Sequence, residues 1–206
     1  MLLHLFRRIL RAPGLWAGAI RAFEREPVQP DAVVFIGSSS LRFWTTLAAD
    51  LAPLPALNRG FGGATIVGVN LYAPRILART PDPRAIVLYA GVNDLAWGAS
   101  VDEVFAEIQR FVALAGRLAP DAPVYVLSAQ LTPRRRTSWI QVRELNARLA
   151  GLVGVRYVDV ASVVLDRNGR PRRELFRFDG IHMKPSGYAL WTQLLRPRLL
   201  EDLSRR

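Results

Sequence analysis

Cysteine is absent from all 206 residues, which excludes disulfides, thiolate metal sites and a cysteine nucleophile. Histidine occurs only twice, as His4 and His182, so any chemistry that needs an imidazole has two candidates. Lys184 is the sole lysine, and the net charge of +11 is therefore carried almost wholly by arginine. No stretch approaches the ~20 apolar residues that a membrane-spanning helix requires. No repeat of fixed period and no low-complexity linker divides the chain.

What is present is apolar and evenly spread. Hydrophobic residues make up 50% of the sequence, and a chain of this size hides about 70% of its unfolded surface, so one domain with one sizeable core is expected. Excess positive charge permits attraction to nucleic acid, an anionic membrane or acidic substrates. The arginines are scattered, however, and the only tight run is Arg134-Arg135-Arg136. With no recognition motif beside them, they read as a basic solvated surface with no specific nucleic-acid partner.

At the N-terminus, Leu2, Leu3, Leu5, Phe6, Ile9 and Leu10 recur at helical spacing with Arg7, Arg8 and Arg11 among them. A secretory leader carries its charges before an uninterrupted apolar stretch, and here they lie inside it. Residues 1–30 read as an amphipathic helical appendage ending near Pro27 and Pro30, with the main domain over 31–206. Packing on that domain is the first reading of the appendage, and peripheral contact with an anionic bilayer is the second. A cytoplasmic location is expected.

Short, continuous apolar runs alternate with helical patterns. Strands are expected over 33–36, 55–58, 85–89, 124–127 and 156–160. Unbroken apolar runs of this kind suit a parallel sheet covered on both faces. Helices are expected over 101–118, where Val104, Phe105, Ile108, Phe111, Val112 and Ala115 form one stripe, over 138–152, and over 188–200 with an interruption at Pro197. Strands alternating with helices mean βαβ units and right-handed crossovers. In such sheets sites form beyond the carboxyl ends of the strands. That rim would gather Gly37-Ser38-Ser39-Ser40, the turn Gly60-Phe61-Gly62-Gly63 and Gly91-Val92-Asn93-Asp94.

With His4 in the appendage, His182 is the imidazole available to this rim, and imidazole suits proton transfer near neutral pH. Asp179, three residues earlier, can fix its tautomer and stabilise the imidazolium; on its own, Asp-x-x-His equally describes a solvated loop pair. The three serines lie at a strand end, where one can cap a helix while another attacks. Nothing in the residues themselves chooses among Ser38, Ser39 and Ser40. Trp44, Trp97 and Trp139 are candidates for pocket walls or for packing, and Arg134 to Arg136 for an overhanging cationic edge or for loop charges.

Taken together, the blocks resemble those of the SGNH hydrolases (GDSL-like lipases and esterases). The match runs in order over residues 33 to 188. The first block, Gly37-Ser38-Ser39-Ser40-Leu41-Arg42-Phe43-Trp44, resembles a bacterial Gly-Ser-Ser-Ser-x-Arg-x-Trp subgroup, with Ser38 where the family usually has aspartate. By that resemblance Ser39 is the nucleophile. Gly63, in Asn58-Arg59-Gly60-Phe61-Gly62-Gly63-Ala64-Thr65, matches the oxyanion glycine. Asn93, in Gly91-Val92-Asn93-Asp94, matches the oxyanion side chain, and Asp179-Gly180-Ile181-His182 with Pro185-Ser186-Gly187-Tyr188 matches the last block.

The resemblance implies a three-layer α/β/α sandwich on a flavodoxin-like five-stranded parallel sheet. It also implies a Ser39–His182–Asp179 triad, oxyanion donors from Ser39, Gly63 and Asn93, a small-molecule ester substrate, and no cofactor or metal. Two rivals stand beside it: a non-catalytic ligand-binding module on the same fold, and a basic nucleic-acid-binding protein. The first would be expected to have lost Ser39, Asn93 or His182, and the second would show steep salt-dependent binding without ester turnover.

Overall fold

A computed structural model of the protein describes residues 14–204. The basic stretch between Leu2 and Arg11, and with it His4, lies outside the described residues. Five parallel strands form one sheet: β1 (Val33–Gly37), β2 (Ala56–Gly60), β3 (Ala85–Tyr89), β4 (Val124–Leu127) and β5 (Arg156–Val158). Their order is β2-β1-β3-β4-β5. Every residue of β1, β3 and β4 is buried, as continuous Val/Ile/Leu runs require when helices cover both faces. The order reverses between β1 and β3. Gly37 sits level with Gly60 of β2 on one side and Tyr89 of β3 on the other. The chain leaves the sheet at that seam in opposite directions, and a crevice opens there.

The helices are α1 (Ala17–Arg25), α2 (Ser39–Arg42), α3 (Leu47–Asp50), α4 (Ile66–Leu77), α5 (Val92–Ala96), α6 (Val101–Leu118), α7 (Trp139–Ala150) and α8 (Pro185–Leu203). α4 packs on α6 and α6 on α7, while α8 meets α3. α6 starts where the stripe predicts, behind a capping box in which Ser100 accepts from the Glu103 N–H and the Glu103 carboxylate from the Ser100 N–H. Such caps satisfy donors that the first helical turn leaves unpaired.

α8 differs from expectation, because it continues through Pro197 to Leu203. A proline inside a helix costs about 3 kcal/mol through a lost hydrogen bond and a clash. Pro197 faces solvent, whereas Trp191, Leu195 and Leu199 are fully buried on the opposite stripe. Each such side chain contributes about 1.5–3 kcal/mol when removed from water, so the buried face outweighs the break. β2 begins one residue later than the composition suggests and runs on to Gly60, and β5 ends at Val158.

Residues 16–26 are tied to the rest of the domain. Trp16 and Ile20 join the hydrophobic core, the Trp16 indole N–H donates to the Gly62 carbonyl at 2.9 Å, and Glu24 and Glu26 pair with Arg75 and Arg59. Among the described residues no helix is long and apolar enough to cross a membrane.

Candidate active site

β1 delivers the three serines directly to the seam. The Ser38 N–H donates to the Tyr89 carbonyl at 3.0 Å, and the extended Ser38 backbone turns the chain into α2. Ser38 and Ser40 are buried, while Ser39 is half-buried. The Ser40 carbonyl accepts from the Tyr188 hydroxyl at 2.7 Å, and Tyr188 is stacked on Trp44 with ring centroids 5.4 Å apart. α2 is also held from the second block: the Asn58 amide donates to the carbonyls of Leu41 and Trp44 at 2.6 and 3.1 Å. Of the three hydroxyls, the structure brings that of Ser39 to the imidazole.

Asp179 and His182 stand on one hairpin, closed by an antiparallel bridge between Phe176 and Met183 and by the Arg177 N–H donating to the His182 carbonyl at 2.8 Å. Asp179 Oδ1 accepts the backbone N–H groups of Ile181 and His182 at 2.8 and 3.0 Å. Its Oδ2 lies 2.7 Å from His182 Nδ1, and His182 Nε2 lies 2.9 Å from Ser39 Oγ. Partial burial pushes the Asp179 carboxyl up, but the two backbone donors and the imidazole outweigh it and hold the group at about 2. An ionised carboxylate only accepts hydrogen bonds. In the neutral ring Nδ1 therefore carries the proton and Nε2 is left to accept from the serine hydroxyl. The Phe43 ring lies 4.5 Å from the imidazole, tilted by 61°.

The glycine turn and the third block are joined across the seam. Gly63 has φ +64°, which a side chain disfavours. Among the described residues, the backbone N–H groups of Ser39 and Gly63 donate to no protein acceptor. Asn93 is buried. Its Nδ2 donates to the Ala64 carbonyl at 2.9 Å, and its Oδ1 accepts from Arg135 Nη1 at 2.9 Å. The Asp94 carboxylate accepts the Ile66 N–H with both oxygens, at 3.2 and 3.1 Å. Burial pushes the Asp94 carboxyl up to about 7, against the pull of the Ile66 N–H. A cavity of about 260 Å³ lies beside it, walled by Thr65, Ile66, Val67, Trp97 and Val104. The Trp97 ring borders the Gly63 turn.

The three tryptophans thus part company. Trp44 is fully buried among Phe35, Tyr188 and Trp191, Trp97 walls the cavity, and the Trp139 indole donates to the Thr132 carbonyl at 2.9 Å. The arginine run divides as well. Arg134 and Arg136 are exposed and Arg135 turns inward. Neither the Arg135–Asn93 contact nor the Phe43–His182 contact is foreshadowed by the sequence. A position next to Trp44 and a lone apolar-to-basic turn after β4 are weak signals for either. Among the described residues no group of three or more His, Asp or Glu is placed to hold a metal ion.

Comparison with known proteins gives a consistent result. The GDSL-like lipase/acylhydrolase family matches residues 20–190. Among solved structures, a proposed acylhydrolase from Bacteroides fragilis superimposes with a TM-score of 0.77 at 21% identity, covering 94% of this chain and 98% of that one. A proposed platelet activating factor from Streptococcus pneumonia gives 0.76 at 20% identity, covering 97% and 98%. A GDSL-like lipase from Bacteroides thetaiotaomicron gives 0.73 at 21%, covering 94% and 99%. At such identities the likeness concerns the fold, a five-stranded parallel sheet flanked by helices. No curated protein matches the chain.

Proposed function

Given that the chain belongs to the GDSL-like lipase/acylhydrolase family, we propose that it hydrolyses carboxylic esters with Ser39 as nucleophile, His182 as general base and Asp179 as the orienting carboxylate. The observation that carries this reading is the unbroken chain Ser39 Oγ–His182 Nε2–Asp179 Oδ2, with links of 2.9 and 2.7 Å. Ser39 Oγ attacks the ester carbonyl as Nε2 takes its proton. The imidazolium, held by the Asp179 carboxylate, then protonates the departing alkoxide, leaving an acyl-serine and releasing an alcohol. Water, deprotonated by the same nitrogen, attacks the acyl-serine, and the serine oxygen leaves with that proton.

In both steps the carbonyl oxygen becomes an oxyanion. The Ser39 and Gly63 N–H groups, which have no protein acceptor among the described residues, and the second hydrogen of Asn93 Nδ2 are the donors proposed to receive it. Losing one such donor typically costs on the order of 10²–10³ in turnover. Short acyl esters, including acetyl groups on sugars, are the first substrate class. Lipid esters are the second, favoured by Phe178, which is 99% exposed beside Asp179.

The test is a series of p-nitrophenyl esters of increasing acyl length, run on the wild type and on Ser39→Ala. Hydrolysis by the wild type with near-complete loss in the variant is expected, together with labelling of Ser39 by a fluorophosphonate. Equal rates in the two proteins, or a label on Ser38 or Ser40, would overturn the assignment.

A further inference from the structure

Resting on the esterase reading above, we propose that Arg135 is a positioning residue: its guanidinium holds the Asn93 side-chain amide in the one orientation that points an N–H, and not an oxygen, toward the reacting carbonyl. A terminal amide is nearly symmetric in shape, so its orientation is decided by its partners. Arg135 Nη1, 2.9 Å from Asn93 Oδ1, can only donate. The Ala64 carbonyl, 2.9 Å from Asn93 Nδ2, can only accept. The two partners agree, and together they clamp the amide from both ends. Turning the amide over would set its oxygen against the Ala64 carbonyl and its NH₂ against the guanidinium. It would also present a negative dipole to the developing oxyanion.

The clamp leaves one Nδ2 hydrogen uncommitted, which is the hydrogen the proposed chemistry needs. A cation on Oδ1 also polarises the amide and strengthens that donor. Arg135 itself is costly to place there. It is half-buried, and among the described residues it has no carboxylate partner. Arg75, Arg84, Arg110 and Arg148 by contrast each pair with an acid. Burying a charge without a counter-ion costs stability, and the contact of Nη1 with Asn93 Oδ1 at 2.9 Å, with a longer one to the Val92 carbonyl at 3.5 Å, is what the residue gains in return.

The loop that carries Arg135 is fixed at both ends. The Arg135 N–H donates to the Thr132 carbonyl at 3.2 Å and the Ser138 N–H to the Arg135 carbonyl at 3.1 Å. The neighbouring Arg134 N–H donates to the Gly180 carbonyl at 3.0 Å, in the turn between Asp179 and His182. One short segment thus contacts both the oxyanion side chain and the histidine hairpin.

The experiment is a double-mutant cycle with steady-state kinetics on p-nitrophenyl acetate, using Arg135→Ala, Asn93→Ala and the double variant, with Arg135→Lys and thermal melts as controls for folding. Arg135→Ala is expected to lower kcat by about 10- to 100-fold, as misplacing a catalytic group by about 1 Å does, while KM changes less than about threefold. In the Asn93→Ala background the same change should cost less than about threefold. Lysine, which keeps one donor, should restore part of the rate, and millimolar guanidinium should raise kcat of Arg135→Ala but not of the double variant. A loss that appears only in KM, that adds fully to Asn93→Ala, or that is absent would overturn the proposal. If Asn93→Ala itself keeps wild-type kcat while Ser39→Ala is dead, the esterase reading survives and the Arg135 proposal falls.

Discussion

Phe43 and His182 meet edge to face, ring centroids 4.5 Å apart, so an aromatic surface bears on the imidazole that links Asp179 Oδ2 to Ser39 Oγ. That surface is the residue that caps the C-terminal end of α2, immediately beyond Arg42. One helical turn therefore supplies both the hydroxyl and the surface that keeps the imidazole facing it. Aromatic pairs of this geometry contribute about 0.5–1.5 kcal/mol beyond the area they bury. Phe43→Ala is expected to lower kcat on p-nitrophenyl acetate a few-fold to about tenfold without a comparable change in Tm. An unchanged kcat would show that the hairpin orients the ring unaided.

Asp179→Asn should keep the loop, because an amide oxygen can still accept the Ile181 and His182 N–H groups, yet lose the anion that fixes the imidazole tautomer. Turnover is expected to fall by about 10²–10⁴, with circular dichroism unchanged. The same carboxyl is held at about 2 in the folded protein, below its ordinary value. Its contribution to stability is thus present above about pH 4 and is lost as pH falls toward 2. Melts between pH 2 and 5 should show the wild type losing Tm faster on acidification than the variant. Parallel curves would remove the carboxylate from the hydrogen bonds assigned to it.

Asp94 gives the opposite slope. Burial pushes it up to about 7, so from about pH 4 to 7 the unfolded chain ionises this group while the folded protein does not. The stability it contributes is complete below about pH 4 and declines as pH rises to 7. In Asp94→Asn, whose amide oxygen can still accept from Ile66, that decline should vanish. The difference in Tm between wild type and variant would then change steadily between pH 4 and 8, and a constant difference would refute it.

Gly68 in α4 lies against the Trp16 indole, and a methyl group there would overlap the ring. Gly68→Ala is expected to destabilise by about 1–3 kcal/mol, which at about 2–4 °C per kcal/mol for this size lowers Tm by roughly 2–12 °C. A methyl group added at Gly116 in α6 would meet nothing within 4 Å, and Gly116→Ala should leave Tm unchanged or raise it. Both alanines gain the same helix propensity, so equal shifts of Tm from the two would show that the Trp16 contact imposes no cost.

The parts of this molecule that could be read in the chain are those set by neighbours in sequence. The run Ala85–Tyr89 is a strand because every residue in it is apolar, and α6 begins at Val101 because Ser100 and Glu103 cap each other. The rim followed from strand ends, and it brings Ser39 beside His182 across 143 positions. What stayed hidden depends on partners far away or on a face. Pro197 reads as a break because its solvent-facing position shows only after folding. Trp44 reads equally as a pocket wall or as packing until Tyr188 and Trp191 close around it. Nothing next to Trp16 announces Gly62, 46 residues on, as the acceptor of its indole N–H. Arg135 looks like one of three loop charges because its acceptor lies 42 residues earlier.

The bridge between Phe176 and Met183 and the backbone donors on Asp179 Oδ1 fasten carboxylate and imidazole into one cartridge, so a shift of that hairpin as a unit leaves them aligned with each other. What such a shift changes is the gap to the Ser39 hydroxyl, which belongs to α2. Thermal softening of the site should accordingly read out as loss of one distance. A bound transition-state mimic that spans the gap would restore it without remaking anything else.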